Sequence, residues 1–236
     1  MVIAGMWKEL LFPRRCAVCD DITDRPGEPV CRECIKKIAY IKEPCCMKCG
    51  KELQGGDKEF CNDCARRSHI FTGGTALYDY GSMSDSVFRF KNKGRIEYAD
   101  FYGRELARRK GAWLQMVKPD ALIPVPIHAS KKRSRGYNQA ELIARALSEY
   151  TGIPVNTSFI GRCKKTGPLK DLTEQERQNN LKKAFKILQN DVKLDTIVII
   201  DDIYTTGSTI DAMAQVLKEA GVSGIYFLAL TVGRGV

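Results

Sequence analysis

"IVIIDDIYTTGST", Ile197 to Thr209, decides the reading of this chain. Its first half is a run of β-branched apolar residues, the pattern of a strand buried on both faces of a parallel sheet. Its second half carries one glycine among hydroxyl side chains and runs into a helical pattern, "STIDAMAQVLKEAG". Asp201 and Asp202 stand between the two. In open α/β sheets ligands bind at the carboxyl ends of the strands. The first turn of the helix that follows offers free N–H groups and the positive end of a dipole. Thr205, Thr206, Ser208 and Thr209 add hydroxyl donors, and Gly207 lets the backbone come close to an anion. No Lys follows the glycine and no GxGxxG occurs, which excludes a nucleoside-triphosphate P-loop and a dinucleotide fingerprint.

A site for phosphate alone would not begin with two carboxylates. A carboxylate pair accepts hydrogen bonds from adjacent hydroxyls, and a pentose 5-phosphate presents hydroxyls at one end and phosphate at the other. If a diphosphate hangs from C1, Mg2+ neutralises it, with oxygen ligands shared among carboxylates, waters and phosphates.

Outward from this stretch, strand and helix patterns alternate. "DALIPV" (120–125) reads as a short strand, and Asn138 with Glu141 as a capping box for a helix from "NQAELIARALSEYTG". Residues 153–161 suggest another strand, Thr173 with Glu176 a second capped helix, and "GIYFLAL" a last strand. "IEYADFYGRELARRKGAWLQM" reads as an earlier helix covering the sheet. This alternation predicts an α/β domain with a mostly parallel sheet flanked by helices over residues 71–236.

Residues 1–70 are different. Nine of the ten cysteines fall before residue 65, and eight form CxxC pairs: Cys16/Cys19, Cys31/Cys34, Cys46/Cys49 and Cys61/Cys64. The pairs start 15 residues apart, an internal repeat. A two-residue spacer lets both thiolates of a knuckle face one tetrahedral ion, so the pattern predicts a double zinc ribbon with two four-cysteine sites. Sequential and interleaved pairing are both compatible with an even period; turn residues within each half favour two sequential ribbons. Cys45 also neighbours a knuckle, but Cys46 gives the better spacing to Cys49. All four positions of each site are filled by protein, so both zinc ions are expected to be structural. Cys163, His69 and His128 have no metal-spaced companions and are read as non-ligands.

The chain is 44% hydrophobic and 28% charged, as ordinary globular proteins are, with net charge +10. Residues 71–236 carry 25 Lys and Arg against 17 Asp and Glu, and residues 1–70 carry 13 against 11. The surplus suits a polyanionic small ligand or a nucleic acid backbone. No apolar run reaches the roughly 20 residues of a membrane span. The start of the sequence, broken by Lys8 and Glu9, does not read as a secretory signal, and a cytoplasmic protein without membrane insertion is expected.

"VIIDDIYTTGST" resembles the ribose-phosphate motif of type I phosphoribosyltransferases. With the four knuckles, "PVPIHASKKRSRGYNQAELIA" and "ERQNNLKKAF", the chain resembles the ComF family throughout. That resemblance implies a type I phosphoribosyltransferase-like domain joined to a zinc-ribbon module, with 5-phosphoribosyl 1-diphosphate (PRPP) and Mg2+ as ligands. It also implies a role in natural transformation, handling incoming single-stranded DNA during DNA uptake. Carried over by position, Asp201 and Asp202 hold the ribose hydroxyls, directly or through Mg2+. Thr205 to Thr209 hold the 5-phosphate. Pro124, Val125 and Pro126, with Arg133 and Arg135, face the diphosphate. Arg135, Gly136, Asn138 and Gln139 match the family's RGxNQ signature; Lys91, Gly94 and Arg95 match its basic loop. Leu169 stands where the family usually has Gln.

Three functions fit. One is PRPP binding coupled to single-stranded DNA, with Lys91, Lys93, Arg95, Lys164, Lys165 and Arg177 as DNA or flap candidates. "VFRFKNKGRIEYADFYGR" interleaves rings and cations as a single-strand groove does, although any one ring there reads more readily as core. The second is a working phosphoribosyltransferase with a nitrogen acceptor, such as a base or ammonia. The third is a PRPP-sensing adaptor whose ribbons dock a helicase-like partner.

Overall fold

The computed structural model describes residues 13–25, 27–55, 58–163, 184–189 and 193–233. Lys164, Lys165 and Arg177, the helix expected from Thr173, and Leu169 lie outside the described residues.

The run "TIVII" does form the central strand. Strand β5 (Thr196–Tyr204) lies between β6 (Gly224–Val232) and β2 (Ala121–Pro124), and β1 (Gly73–Asp79) borders β6, giving the order β1-β6-β5-β2. All three pairings are parallel, with Ile199 opposite Phe227 on one side and Ile123 on the other. Alternate side chains go to opposite faces. Ile197 and Ile199 join Ile210, Met213 and Leu217 of helix α7 (Ser208–Glu219) in one apolar cluster. Val198 and Ile200 join the opposite cluster. There they meet helices α3 (Tyr80–Asn92), α4 (Tyr98–Val117) and α6 (Gln139–Thr151) through Val87, Tyr102, Ile143 and Leu147. Ile197 to Ile200 are fully buried. Each such side chain contributes about 1.5–3 kcal/mol of burial free energy.

Two sequence expectations are altered. The stretch 153–161 does not form one strand. Val155 makes a single parallel bridge beside Leu122, and Ile160–Arg162 (β3) then turns away to pair antiparallel with Phe185–Ile187 (β4). The Asn156 side chain explains the break: its Oδ1 accepts from the Ser158 and Phe159 amides at 3.0 and 2.9 Å and turns the chain away just after the Leu122 amide has met the Pro154 carbonyl at 2.8 Å. Asn138 does precede α6, but its side chain makes no cap; its amide donates to the Val125 carbonyl at 3.0 Å. A tertiary acceptor outcompetes the local one there.

The cysteine repeat becomes two small ribbons. In each, a knuckle closes by an amide of the residue after its second cysteine: Asp20 N to Cys16 O at 2.9 Å, Gly50 N to Cys46 O at 2.8 Å. Each second knuckle opens a short helix, α1 (Arg32–Lys37) after Cys31 and α2 (Asn62–Arg66) after Cys61. The ribbons are not tethered beads. Cys46, Cys49 and Leu53 share the α7-side cluster with Phe71 and Tyr204, and Cys16, Ala17 and Cys34 share the other with Val87 and Phe90. The remaining helix, α5 (Ala129–Arg135), lies between β2 and α6.

Candidate functional site

Strand β5 outlasts β2. Pro124 stands opposite Ile200, and the Val125 amide donates to the Ile200 carbonyl at 2.9 Å. Beyond that bond, Asp201 to Tyr204 keep β6 on one side, while β2 has ended at a proline-flanked turn that cannot donate further. The Asp202 amide, without a β2 partner, donates to the Asp201 carboxylate at 2.9 Å. From the β6 side the Thr231 hydroxyl donates to the Asp202 carbonyl at 2.9 Å. The paired acids therefore sit at an open edge of an otherwise buried strand.

Alternation sends Asp202 to the α3 and α4 face, where the Lys91 ammonium of α3 meets it at 2.8 Å. Asp201 points to the other face. Burial, and then the charge of Asp202, push its carboxyl up to about 8, with Lys91 pulling the other way. Further cations gather here. Burial lowers the Lys131 ammonium below its ordinary range, and the charges of Arg162, Arg135 and Lys91 lower it further while Asp202 opposes them. Burial likewise lowers Arg162, with Asp201 opposing. Two carboxylates thus lie among Lys91, Lys131, Arg135 and Arg162, a mixed field suited to a ligand with both hydroxyl and anionic groups.

After Tyr204 the chain turns through exposed Thr205 and Thr206 into α7. Gly207 precedes the helix with φ 80°, and no side chain caps the helix. Its first amides are therefore free to meet an anion. The Thr206 and Ser208 hydroxyls lie 3.0 Å apart over this turn. Glycine is required at 207 for space as well as for φ, since a Cβ would stand 2.8 Å from the Tyr204 hydroxyl and 3.0 Å from His69 Cε1.

The turn is braced from beneath by the second ribbon. The His69 ring, 1% exposed, meets Asp211 at 2.7 Å through Nδ1, and the Ile70 amide donates to the same carboxylate at 2.9 Å. Tyr204 stacks on Phe227 at 4.4 Å, with Lys51 5.8 Å from its ring and Lys51 paired to Asp63 at 2.6 Å. His69 thus supports the turn. Sequence reasoning had no signal for that role, beyond an acidic residue in the first turn of α7.

The RGYNQ residues hold the opposite wall. Asn138 grips the Val125 carbonyl, Arg135 donates to Gln139 at 2.8 Å, and Gly136 ends α5 with φ 85°. Arg133 is exposed on the same helix. Of the residues expected on a DNA face, Lys91 is on Asp202, Arg95 pairs with Asp20 at 2.8 Å, and Lys93 is exposed. Phe90, Tyr98 and Tyr102 are core, and Phe88 is 53% exposed.

The cysteines assemble sequentially: Cys16, Cys19, Cys31 and Cys34 in one group, Cys46, Cys49, Cys61 and Cys64 in the other, all Sγ atoms of a group within 4.8 Å of one another. The all-thiol donor sets fit tetrahedral zinc. Backbone amides favour the thiolate form of the leading cysteine of each group. Burial raises Cys46, but the amides of Cys61, Cys49 and Lys48 outweigh it and bring the thiol to about 7. Cys16 is lowered in the same way, by the amides of Cys19, Cys31 and Val18 against burial. Cys45 stays outside, its thiol donating to the Lys42 carbonyl at 3.2 Å. Among the described residues no helix is long and apolar enough to cross a membrane.

Fold and cysteine groups together define a phosphoribosyltransferase-fold protein with a zinc-ribbon module. The Double zinc ribbon domain family matches residues 7–65, and the Phosphoribosyl transferase domain family matches residues 133–233. Competence protein F of Haemophilus influenzae is 30% identical over 220 residues, 91% of this chain and 95% of that protein. Competence protein ComFC of Bacillus subtilis is 28% identical, over 87% of this chain and 89% of that one. Among solved structures, glutamine phosphoribosylpyrophosphate amidotransferase from B. subtilis is 18% identical with TM-score 0.40, over 57% of this chain and 26% of that one. The chain belongs to the ComF family of competence proteins.

Metal analysis is expected to give two zinc ions per chain, and chelation to unfold both ribbons and loosen the turn at Gly207, read as faster amide exchange across 204–211. A second expectation concerns pH. An acid whose folded pKa is raised keeps a proton that the unfolded chain releases, so its contribution to stability falls as pH rises from 3.8 to about 8. In zinc-loaded protein without Mg2+, stability measured by urea denaturation should fall less steeply toward pH 8 in Asp201→Asn than in the unchanged protein; an unchanged slope would contradict the assignment.

Proposed function

We propose that this protein binds PRPP with Mg2+ at the end of β5 and handles incoming single-stranded DNA in the cytoplasm during natural transformation. Residues 1–70 form its zinc-ribbon module and residues 71–236 its PRPP-binding domain. One observation carries the reading: paired carboxylates at an open strand edge run directly into an uncapped helix N-terminus behind Gly207. Asp201 and Asp202 would take the ribose hydroxyls, and Thr205, Thr206, Gly207, Ser208 and Thr209 the 5-phosphate. The Pro124–Val125–Pro126 turn with Arg133 and Arg135 would flank the diphosphate. Mg2+ supplies neutralisation of that diphosphate when bound, and the hard oxygen donors of the two aspartates suit it. Lys91 already compensates Asp202, so the site tolerates its own charge before ligand arrives.

The DNA role is supported by family membership, by the positive surplus of residues 71–236, and by the exposure of Phe88 and of Lys93 five residues on. A second reading, transfer of the phosphoribosyl group to a nitrogen acceptor, is favoured by the match of residues 133–233 to the Phosphoribosyl transferase domain family. Such a transfer needs mainly positioning and charge stabilisation of the departing diphosphate. Pyrophosphate release across a panel of bases and ammonia distinguishes it from binding alone.

Asp201→Ala with Asp202→Ala should weaken PRPP·Mg binding at least about 100-fold, about 2.7 kcal/mol, by calorimetry, with zinc content unchanged. Retained affinity would sink the assignment. Oligo-dT binding should fall steeply with salt as counterions are released, whereas PRPP binding should tolerate salt and be abolished by EDTA.

A further inference from the structure

Asp20 holds a left-handed backbone conformation, φ 70°, and its counterpart in the second ribbon is Gly50, φ 68°. Both follow the second cysteine of a knuckle and close it with the same amide bond. The conformation favours glycine. At Gly50 space also demands it, because a Cβ would stand 2.6 Å from Thr75 Cα. The first ribbon instead places a carboxylate there, and both its oxygens are engaged across the module boundary. Oδ1 accepts from the Tyr98 hydroxyl at 2.6 Å, and Oδ2 accepts from Arg95 Nη2 at 2.8 Å. Neighbouring carbonyls of the same knuckle accept from α3: Ala17 from the Ser86 hydroxyl, Val18 from Arg89.

These contacts converge on one piece of the site wall. Ser86 and Arg89 lie a turn apart on the ribbon side of α3. Lys91, two residues past Arg89 and so about 200° further round the helix, reaches Asp202 on the other side. Gly94, φ 70°, then turns the chain sharply; Arg95 lies in that turn and Tyr98 begins the next helix. The Tyr137 hydroxyl holds the Phe90 carbonyl from the RGYNQ wall. The Ser86 hydroxyl also bonds the Tyr102 hydroxyl at 2.5 Å, and that phenol feels the charge of Asp202.

We propose that Asp20 is a positioning residue of the phosphosugar site: by gripping Arg95 and Tyr98 it fixes the last turn of α3 and holds Lys91 on Asp202. Its consequence for ligand binding rests on the PRPP reading above; the mechanical link does not. The first zinc ribbon thereby sets the counterion of a carboxylate in the neighbouring domain. A carboxylate at residue 20 does this where the glycine of the second ribbon has no side chain to do it.

The test uses full-length, zinc-loaded protein. Asp20→Asn keeps a residue that tolerates the left-handed conformation and removes the charge. It should retain two zinc ions per chain, speed amide exchange across residues 89–97 without ligand, and weaken PRPP·Mg binding about tenfold, about 1.4 kcal/mol. Lys91→Met should weaken binding similarly, and the double variant should be no weaker than Lys91→Met alone. That non-additivity would not arise from general destabilisation. If Asp20→Asn loses zinc, Arg95→Gln removes the same ion pair from outside the ribbon and should reproduce both effects. Wild-type exchange and affinity in the zinc-retaining variant, or fully additive effects with Lys91→Met, would overturn the proposal. Failure of the wild type to bind PRPP would overturn the site reading instead, and the ligand-free exchange result separates the two.

Discussion

Two carboxylates side by side on a strand that water reaches only at its open edge repel one another, and the site is arranged around that repulsion. Asp201 is buried enough for its carboxyl to rise to about 8, while Asp202 is relieved by Lys91 at 2.8 Å. Such a pair is tolerable only because β5 extends past β2 and opens an edge there. Inside the sheet the same residues would face desolvation without compensation. Strand length, set by the prolines that end β2, is therefore the constraint on which the rest depends.

Each wall of the edge is held by a different part of the chain. The second ribbon, through His69, supports the turn at Gly207, and its cysteine group lies in the same apolar cluster as Tyr204. The first ribbon grips α3 and the turn that follows. The RGYNQ residues tie down the Val125 turn. The ribbons are thus continuous with the supports of the candidate site.

Much of this was legible in the sequence because its signals are local. β-branched runs specify buried strands, the CxxC repeat specifies knuckles, and a glycine among hydroxyls ahead of an amphipathic helix specifies a tight turn into that helix. Relations between distant residues were not legible. Nothing around Asp20 announces Arg95, 75 residues away; nothing around His69 announces Asp211, 142 residues away. Asn138 with Glu141 looked like a capping box, yet a carbonyl brought close by tertiary folding took the side chain. Residues 153–161 looked like one strand because apolar content does not say where an asparagine turn hands the chain from one sheet to another.

The most direct test of the central claim is a crystal structure of the zinc-loaded protein soaked with PRPP and Mg2+. Density for the 5-phosphate on the amides of residues 206–209, with the ribose hydroxyls against Asp201 and Asp202, is the expected result. A fully occupied ligand elsewhere, with that turn empty and Lys91 still alone on Asp202, would contradict it.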